Sequence, residues 1–233
     1  MAIIIGDIHG FYEKAEAFLA YRPDQEHIAL GDYLDSFNEP QERQIQTLQL
    51  LLDSPATLLW GNHDLNYLET PPWTCTGYQW HSHEPLVKII EAHKQRFLAA
   101  YAVDGWLCTH AGCHIRVAKH LTDAGEIAAM LNRKMVDYLD RPTKFLLQNK
   151  TLPCPSMFHV SVVRGGDNRN GGIFWFDFKR ETGLADVKQV FGHTETKEPI
   201  ITDSYVAIDT TNNRSNCWIF DTEKNELVRL PGW

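Results

Sequence analysis

The chain has 233 residues, a formal net charge of −8, a sequence pI of about 5.7 and 43% hydrophobic residues. This length suits one large α/β domain, residues 1–233, better than two small domains. The acidic balance argues against nucleic acid as the main partner, because nucleic-acid-binding faces are usually basic. Bound divalent cations would offset part of the negative charge, so an anionic substrate stays compatible with it.

Cysteine usage and the N-terminal sequence indicate the compartment. The five cysteines are odd in number and widely spread, and they form no Cys-x-x-Cys pair, which favours free thiols in a reducing environment. The N-terminus enters an apolar run without a basic region and a long apolar core, so we expect no signal peptide. We expect no membrane span, because no run of about 18 apolar residues occurs. Together these features predict a cytoplasmic protein.

The first 60 residues alternate between short apolar runs and helical patterns. The apolar runs at residues 2–5, 27–30 and 57–60 predict strands. Pro23 ends a helical pattern after the first run, and a second pattern lies between Pro40 and Pro55. A β-α-β-α-β order predicts a largely parallel sheet with helices on its faces. Ligands of such sheets bind beyond the carboxyl ends of the strands.

The rest of the chain predicts further helices and then a β-rich part. Helices are expected over residues 86–100 and 123–140, and a strand over residues 103–108. Strands are expected near residues 186–191, 205–208, 217–220 and 226–230, the last two as a hairpin. Residues 71–85 and 142–172 are irregular, and either segment is a candidate rim of a site. For residues 71–85, a surface loop packed by its own aromatic residues is the alternative.

Polar side chains follow five of the predicted strands at the point where each strand ends. The five stretches are Gly6-Asp7-Ile8-His9-Gly10, Gly31-Asp32-Tyr33-Leu34-Asp35, Gly61-Asn62-His63-Asp64, Thr109-His110-Ala111-Gly112 and Gly192-His193-Thr194. One such stretch alone could be a turn, since Asp and Gly are ordinary turn residues. Five together predict one pocket lined by oxygen and nitrogen donors, which we interpret as a two-metal site.

The donor types indicate which cations the pocket would hold. Carboxylate and amide oxygens mixed with imidazole nitrogens favour Mn²⁺, Fe or Zn²⁺ over Mg²⁺ alone, and Mn²⁺ is our leading expectation. Asp32 ends the middle strand and is expected to bridge two ions about 3.5–4 Å apart. The expected ligands are Asp7, His9 and Asp32 for the first ion, and Asp32, Asn62, His110 and His193 for the second. A hydroxide between such ions is a nucleophile at neutral pH.

His63 is the candidate general acid for the group that leaves phosphorus. It follows Asn62 directly, and the peptide bond directs the two side chains apart, so His63 cannot easily share the same ion. An imidazolium oriented by a carboxylate is a common acid, and Asp35 is the best candidate partner. Asp64 is expected to bond local backbone, as Asp often does at the start of a helix.

The five motifs together resemble the calcineurin-like metallophosphoesterase superfamily. Within it, the sequence is most similar to the serine/threonine phosphoprotein phosphatase branch and its bacterial relatives, including symmetrical diadenosine tetraphosphatases. The motifs appear in family order between residues 6 and 194. The resemblance implies a four-layer α/β/β/α sandwich with a dinuclear metal centre, and it implies the same residue roles as those given above.

Two departures from this branch concern the substrate. Asp35 is followed by Ser36-Phe37, where the branch usually has an arginine that clamps the phosphate. His193 is followed by Thr194-Glu195, not by the second histidine of diesterase-type relatives. A substitute clamp could come from elsewhere in the chain, and each candidate taken alone is also a typical solvated or structural arginine. The candidates are Arg116, Arg164 and Arg169.

Three functions remain open at the level of sequence. The leading hypothesis is a phosphatase that cleaves phosphomonoesters of small molecules or phosphoproteins. The alternative is a hydrolase of dinucleoside polyphosphates or phosphodiesters. A catalytically silent, metal-stabilised binding module is the third, and His63 with Asp35 argues against it because a scaffold needs no acid.

Other polar residues are interpreted as structural. His81-Ser82-His83 looks like a metal-binding pair, but its polar loop favours surface residues over an accessory site. Asp177 and Asp209 are expected to be turn or edge residues and not ligands.

Overall fold

The computed structural model describes residues 1–36, 38–75, 83–142, 155–210 and 216–230. The α-helices in chain order are α1 (Tyr12–Ala20), α2 (Gln41–Asp53), α3 (His83–His93), α4 (Ile115–Ala118) and α5 (Ala124–Asp140). The strands are β1 (Ala2–Ile5), β2 (Glu26–Ala29), β3 (Thr57–Leu59), β4 (Phe97–Leu98), β5 (Tyr101–Val103), β6 (Trp106–Cys108), β7 (Lys188–Phe191), β8 (Ile200–Ile201), β9 (Tyr205–Ala207), β10 (Trp218–Asp221) and β11 (Glu226–Arg229). Short 3₁₀ helices occupy Asp64–Tyr67, Lys94–Arg96, Ser156–Phe158 and Val162–Arg164.

The first sheet has six strands in the order β11-β10-β1-β2-β3-β4. Strands β1, β2 and β3 are parallel, because α1 and α2 provide the crossovers between them. The hairpin of β10 and β11 adds antiparallel to β1, with Ile4 opposite Phe220. The predicted β-α-β-α-β order and the predicted C-terminal hairpin are both confirmed.

The second sheet has five strands in the order β5-β6-β7-β9-β8. Its three central strands, β6, β7 and β9, are parallel, while β5 and β8 run antiparallel at the two edges. The carboxyl ends of β6 and β7 therefore lie side by side at one end of this sheet. Those ends carry the two later histidine motifs.

Alternating side chains of the strands separate two hydrophobic cores. Ile4 of β1 belongs to the core between the two sheets, together with Trp106 and Val206 of the second sheet. Ile3 and Ile5 face the other way and pack in the larger core with helix residues such as Phe18. Helix α5 packs against β5 and β6 of the second sheet. The result is a mixed α/β fold with two sheets and helices, as the resemblance predicts.

Two local predictions were wrong. The helix expected over residues 86–100 ends at His93, and β4 follows and pairs with β3 at Leu58. Phe97 leaves the helical path because its ring packs 4.6 Å from the ring of Trp60 in the core. The single strand expected over residues 103–108 is a hairpin. It turns at Asp104 and Gly105, whose φ angles of 49° and 80° suit a tight hairpin turn.

The two irregular segments are described only in part. Helix α3 begins at His83, inside the first segment, and residues 76–82 lie outside the described residues. In the second segment, residues 143–154 lie outside the described residues, and two 3₁₀ helices follow. Among the helices that the structure describes, none combines the length and the apolar character that crossing a bilayer requires.

Candidate metal centre

Five strand ends deliver the predicted donors to one place. The loops after β1, β2 and β3 come from the first sheet, and those after β6 and β7 come from the second. His110 Nε2 lies 2.7 Å from Asn62 Oδ1, so a side chain of one sheet directly contacts a side chain of the other. The structure brings together all six predicted ligands, which are Asp7, His9, Asp32, Asn62, His110 and His193.

Four predicted site residues have left-handed backbone. His9, Asp32, Asp35 and His193 have φ angles of 46°, 54°, 62° and 64°. Non-glycine residues rarely adopt this region, and such strain is often found at functional sites. The sharp turn after each strand is what keeps these side chains at the sheet edge, because an ideal strand would continue past the site.

Asp64 joins the second and third loops. Its Oδ2 accepts hydrogen bonds from the main-chain N–H groups of Asp32 and Gly61, at 2.8 and 3.0 Å. Its Oδ1 accepts from the N–H of Tyr33 at 2.9 Å. The prediction that Asp64 bonds local backbone is confirmed, and the structure extends it to a loop about thirty positions away. The loops touch so closely that a Cβ on Gly31 would lie 2.4 Å from the nitrogen of Gly61.

Each of two central carboxylates divides its oxygens between the backbone and the site. Asp7 Oδ1 accepts from the N–H of His193, and Asp32 Oδ1 accepts from the N–H of His63, both at 2.9 Å. The Oδ2 atoms face imidazoles. Asp7 Oδ2 lies 3.9 Å from His9 Nε2, while Asp32 Oδ2 lies 3.8 Å from His9 Nε2 and 3.4 Å from His110 Nε2. Asp32 therefore faces both groups of donors, as a bridging ligand must.

The hydrogen bonds of two histidines fix which nitrogen faces the centre. Nδ1 of His9 donates to Leu34 O at 2.7 Å, and Nδ1 of His110 donates to Leu30 O at 3.0 Å. With the proton on Nδ1, each Nε2 presents a lone pair to the site. These lone pairs meet carboxylate and amide oxygens, which are also acceptors. A cation satisfies such a set of donors, so the residues fit a metal centre.

Burial disfavours the charged form of three of the imidazoles. It lowers the pKa of His9 and His110, and it lowers the pKa of His193 furthest, with His110 and Arg164 adding to the effect. The neutral ring is the form that binds a metal ion. For Asp32 the balance favours the charged form. Burial opposes its ionisation, but the surrounding imidazoles, His110 first, outweigh burial and lower its pKa to about 2.

The surroundings of Asp7 oppose the ionisation of its carboxyl group. Burial raises its pKa, and the nearby carboxylates of Asp209 and Asp32 raise it further. Only the N–H of His193 and the ammonium of Lys14 oppose this rise. A divalent ion between these carboxylates would remove the repulsion.

His63 differs from the other histidines of the site. Its Nδ1 lies 2.9 Å from Asp35 Oδ2, which confirms the predicted pairing of the two side chains. Asp35 is itself fixed by the hydroxyl of Tyr67 and by Asn66 Nδ2, the latter at 3.4 Å. Burial lowers the pKa of His63, but Asp32 and then Asp35 outweigh it, and the pKa stands well above its ordinary value. The surrounding carboxylates therefore favour the charged form of this imidazole.

A cavity of about 240 Å³ opens over the centre. Asp7, His9, Asp32, Asn62, His63 and His193 form its floor, with Asp35 beside them. Its lining also includes residues that sequence reasoning did not assign to the site. They are Phe11, Ser36, Asn38, Cys75, Trp175, Glu195 and Asp209.

Arg164 is the candidate clamp that reaches the cavity. It lines the cavity, forms an ion pair with Asp177 Oδ2 at 3.4 Å and donates to the hydroxyl of Thr194. Asp177 is in a turn, as predicted, and it also holds this guanidinium. Arg116 and Arg169 are exposed, and neither belongs to the lining of the cavity as the described residues define it.

Asp209, which was interpreted as a turn or edge residue and not as a ligand, belongs to the lining of the cavity. It is 4% exposed, lies just after β9 and lines the cavity beside Asp7. The signal that could have found it is the same as for the other motifs, a carboxylate that directly follows an apolar strand end, here Ile208-Asp209. His81 and Ser82 lie outside the described residues, and for His83 the structure describes only its place at the start of α3.

The two sheets and the set of aspartate, asparagine and histidine donors at their edge fit the class of metal-dependent phosphoesterases. The chain belongs to the calcineurin-like phosphoesterase family, which it matches over residues 2–197. Membership implies a hydrolase, and members of the family typically bind two divalent metal ions. None of the curated protein sequences that were compared with the chain matches it.

Solved structures of other proteins are similar to this chain at low sequence identity. A proposed diadenosine tetraphosphatase is 16% identical, with a TM-score of 0.54, and the match covers 100% of this chain and 93% of that one. A serine/threonine phosphatase from Saccharomyces cerevisiae is 11% identical, with a TM-score of 0.48 and coverage of 99% and 73%. A metallophosphoesterase from Sphaerobacter thermophilus is 12% identical, with a TM-score of 0.42 and coverage of 98% and 86%. At these identities the likeness concerns the fold alone.

Proposed function

We propose that this protein is a metal-dependent phosphatase that hydrolyses phosphomonoesters. The observation that carries the proposal is that the four histidines of the site have pKa values shifted in two opposite directions. Burial lowers the pKa of His9, His110 and His193, which suits metal binding, whereas Asp32 and Asp35 raise the pKa of His63, which suits an acid. A binding module would need the first three only.

Two cations would be held by the six donors, with Asp32 between them. Asp7, His9 and Asp32 form one group, and Asp32, Asn62, His110 and His193 form the other. The mixed oxygen and nitrogen donors favour Mn²⁺, with Fe or Zn²⁺ as the next candidates and Mg²⁺ after them. When bound, such a pair supplies positive charge for a phosphate group and lowers the pKa of water, so that a nucleophile exists at neutral pH.

His63 donates a proton to the oxygen that leaves phosphorus. Its ring is partly exposed, with 16% of the side chain accessible, and it lines the cavity where the leaving group would sit. Asp35 orients the ring through Nδ1 and stabilises its charged form, which leaves Nε2 as the donating atom. Tyr67 and Asn66 donate hydrogen bonds to Asp35 and hold its carboxylate against His63.

Arg164 binds the phosphate in place of the arginine that is missing after Asp35. The guanidinium is anchored by Asp177 and Thr194 at the edge of the cavity. An anchored guanidinium favours a phosphomonoester, which carries more negative charge than a diester. The substrate is a phosphorylated small molecule or phosphoprotein.

Hydrolysis of three model substrates tests the proposal. We expect Mn²⁺-loaded protein to cleave p-nitrophenyl phosphate much faster than its bis-ester or a dinucleoside tetraphosphate. Chelated protein is the control and should be inactive. A preference for the bis-ester or the tetraphosphate would contradict the proposal and indicate a hydrolase of phosphodiesters or of dinucleoside polyphosphates. No turnover by protein with a full complement of metal would instead indicate a silent binding module.

A further inference from the structure

Cys75 lies in the cavity next to the acid pair, and neither the metal centre nor the proton transfer uses it. Its side chain is partly exposed and lines the cavity together with His63 and Asp35. The other cysteines that the structure describes, Cys108, Cys113 and Cys217, are buried. One thiol among the described residues is therefore accessible from the substrate side.

Asn66 holds Cys75 with both ends of its amide. Asn66 Oδ1 accepts from the N–H of Cys75 at 3.1 Å, and Asn66 Nδ2 donates to Cys75 Sγ at 2.7 Å. The same Nδ2 lies 3.4 Å from Asp35 Oδ2. The amide thus fixes the sulfur and the carboxylate relative to each other. The thiol also donates to Asn62 O at 3.6 Å, so its position is defined from two sides.

Asp35, His63 and Cys75 offer three different donor atoms within 4.8 Å of one another. A zinc ion binds sulfur at about 2.3 Å and nitrogen or oxygen at about 2.0–2.2 Å in a tetrahedron, so its ligands stand roughly 3.3–3.8 Å apart. The 4.8 Å limit on their separation is about 1 Å longer than the longest of those distances. The cavity lies on the open side of the cluster and offers an entry path and a fourth position for water.

We propose that Asp35, His63 and Cys75 form an inhibitory site for a thiophilic divalent cation such as Zn²⁺. The site is separate from the six-donor centre, which contains no sulfur. Thiolate ligands select Zn²⁺ and similar ions and are poor ligands for Mn²⁺ or Mg²⁺. Asn66 and Tyr67 supply the supporting hydrogen bonds that orient ligands at metal sites.

Occupancy of this site blocks the proton donor. Cys75 binds as the thiolate and His63 as the neutral ring, so both protons pass to solvent as the ion enters. The ion then binds one nitrogen of the ring together with the carboxylate partner, and the neutral ring that remains is a far weaker acid than the imidazolium, so His63 no longer protonates a leaving group. This consequence rests on the proposed function, because it requires His63 to be the acid. Binding of the ion to the three side chains does not depend on the proposed function.

Absorption spectroscopy tests the site without any turnover. Co²⁺ is titrated into Mn²⁺-loaded protein, and a thiolate-to-Co²⁺ charge-transfer band in the near ultraviolet reports a sulfur ligand. We expect the band in the natural protein, in Cys217→Ser and in Cys154→Ser, and we expect its loss in Cys75→Ser. His63→Ala should weaken Co²⁺ binding by about tenfold or more, since even an outer partner of a metal site contributes that much. Absence of the band, or its survival in Cys75→Ser, would overturn the proposal.

Inhibition by Zn²⁺ then tests the consequence. At saturating Mn²⁺, each variant is compared with its own uninhibited rate, so a change in basal activity does not affect the comparison. We expect the Zn²⁺ concentration for half inhibition to rise at least tenfold in Cys75→Ser and to stay unchanged in Cys217→Ser. Equal inhibition of all variants would place Zn²⁺ in the six-donor centre and contradict the inhibitory role. A charge-transfer band in a protein without phosphatase activity would support the site while refuting the proposed function.

Discussion

The main-chain N–H of His193 donates to Oδ1 of Asp7 at 2.9 Å, and this bond joins the end of β7 to the end of β1. The two residues are 186 positions apart and belong to different sheets. A Cβ on the preceding Gly192 would lie 2.2 Å from the same carboxylate oxygen, so only glycine permits the approach. The bond closes the metal centre across the two sheets and leaves Asp7 Oδ2 facing His9.

Replacement of the proton donor should depend on the leaving group. His63→Ala is expected to lower turnover of an alkyl phosphate by about 10²–10⁴-fold, the usual contribution of a general acid. Turnover of p-nitrophenyl phosphate should fall much less, because p-nitrophenolate departs without a proton. Steady-state kinetics on both substrates, with metal analysis of the variant, measure this. Equal losses on the two substrates would contradict the role of His63.

The raised pKa of His63 predicts an alkaline limb in the pH profile. The protonated ring is the active form, so activity on an alkyl phosphate should hold through neutral pH and fall as pH rises through the pKa of His63. Asp35 raises that pKa, so its loss must lower it. In Asp35→Asn the alkaline limb should therefore move to lower pH. A pH–rate profile of each protein measures the shift. An unchanged alkaline limb would show that Asp35 does not raise the pKa of His63.

Removal of metal should destabilise the fold as well as abolish activity. Burial raises the pKa of Asp7, and the carboxylates of Asp209 and Asp32 raise it further, so the ionised group is costly without a cation. A ligand at 100 times its Kd stabilises the folded state by about 2.7 kcal/mol. The melting temperature should rise with added Mn²⁺ in the natural protein and rise less in His193→Ala or Asn62→Ala. A melting temperature that does not change with added Mn²⁺ would argue against these residues as metal ligands.

Asp64 is expected to matter for stability and for the shape of the site together. Its carboxylate accepts from three main-chain N–H groups, so Asp64→Ala leaves buried donors without partners. Each such loss costs about 1–3 kcal/mol, and urea denaturation should show a fall of at least that size. Glu69→Ala serves as an exposed control and should change stability by less than about 0.5 kcal/mol. A stable Asp64→Ala variant would show that the two loops hold together without this carboxylate.

The phosphate clamp is tested by a pair of arginines. Arg164→Ala should raise the KM for p-nitrophenyl phosphate and the inhibition constant of inorganic phosphate by about 10–100-fold, which corresponds to about 1.5–3 kcal/mol for a charge-assisted hydrogen bond. Arg169→Ala removes an exposed arginine of the same segment and should change neither constant. Equal behaviour of the two variants would assign the clamp to another residue.

The secondary structure was predictable where a local pattern decided it. The strands β1, β2 and β3 and the helices between them follow from apolar runs and proline positions, because both act within a few residues. The helix expected over residues 86–100 failed at Phe97, where packing against Trp60 outweighs helical periodicity. That contact joins residues 37 positions apart in the sequence, beyond the reach of any local pattern.

The sequence by itself predicted which donors come together at the candidate metal centre, because a polar residue directly after an apolar strand must lie at a sheet edge. It also determined the pair of His63 and Asp35, through the order of the motifs. Only the tertiary structure decided which other side chains share the cavity. Arg164, Cys75 and Asp209 reach it from loops whose paths depend on long-range packing, and neither spacing nor composition encodes that packing. The same packing, through burial and neighbouring charges, shifts the pKa values of chemically identical histidines in opposite directions.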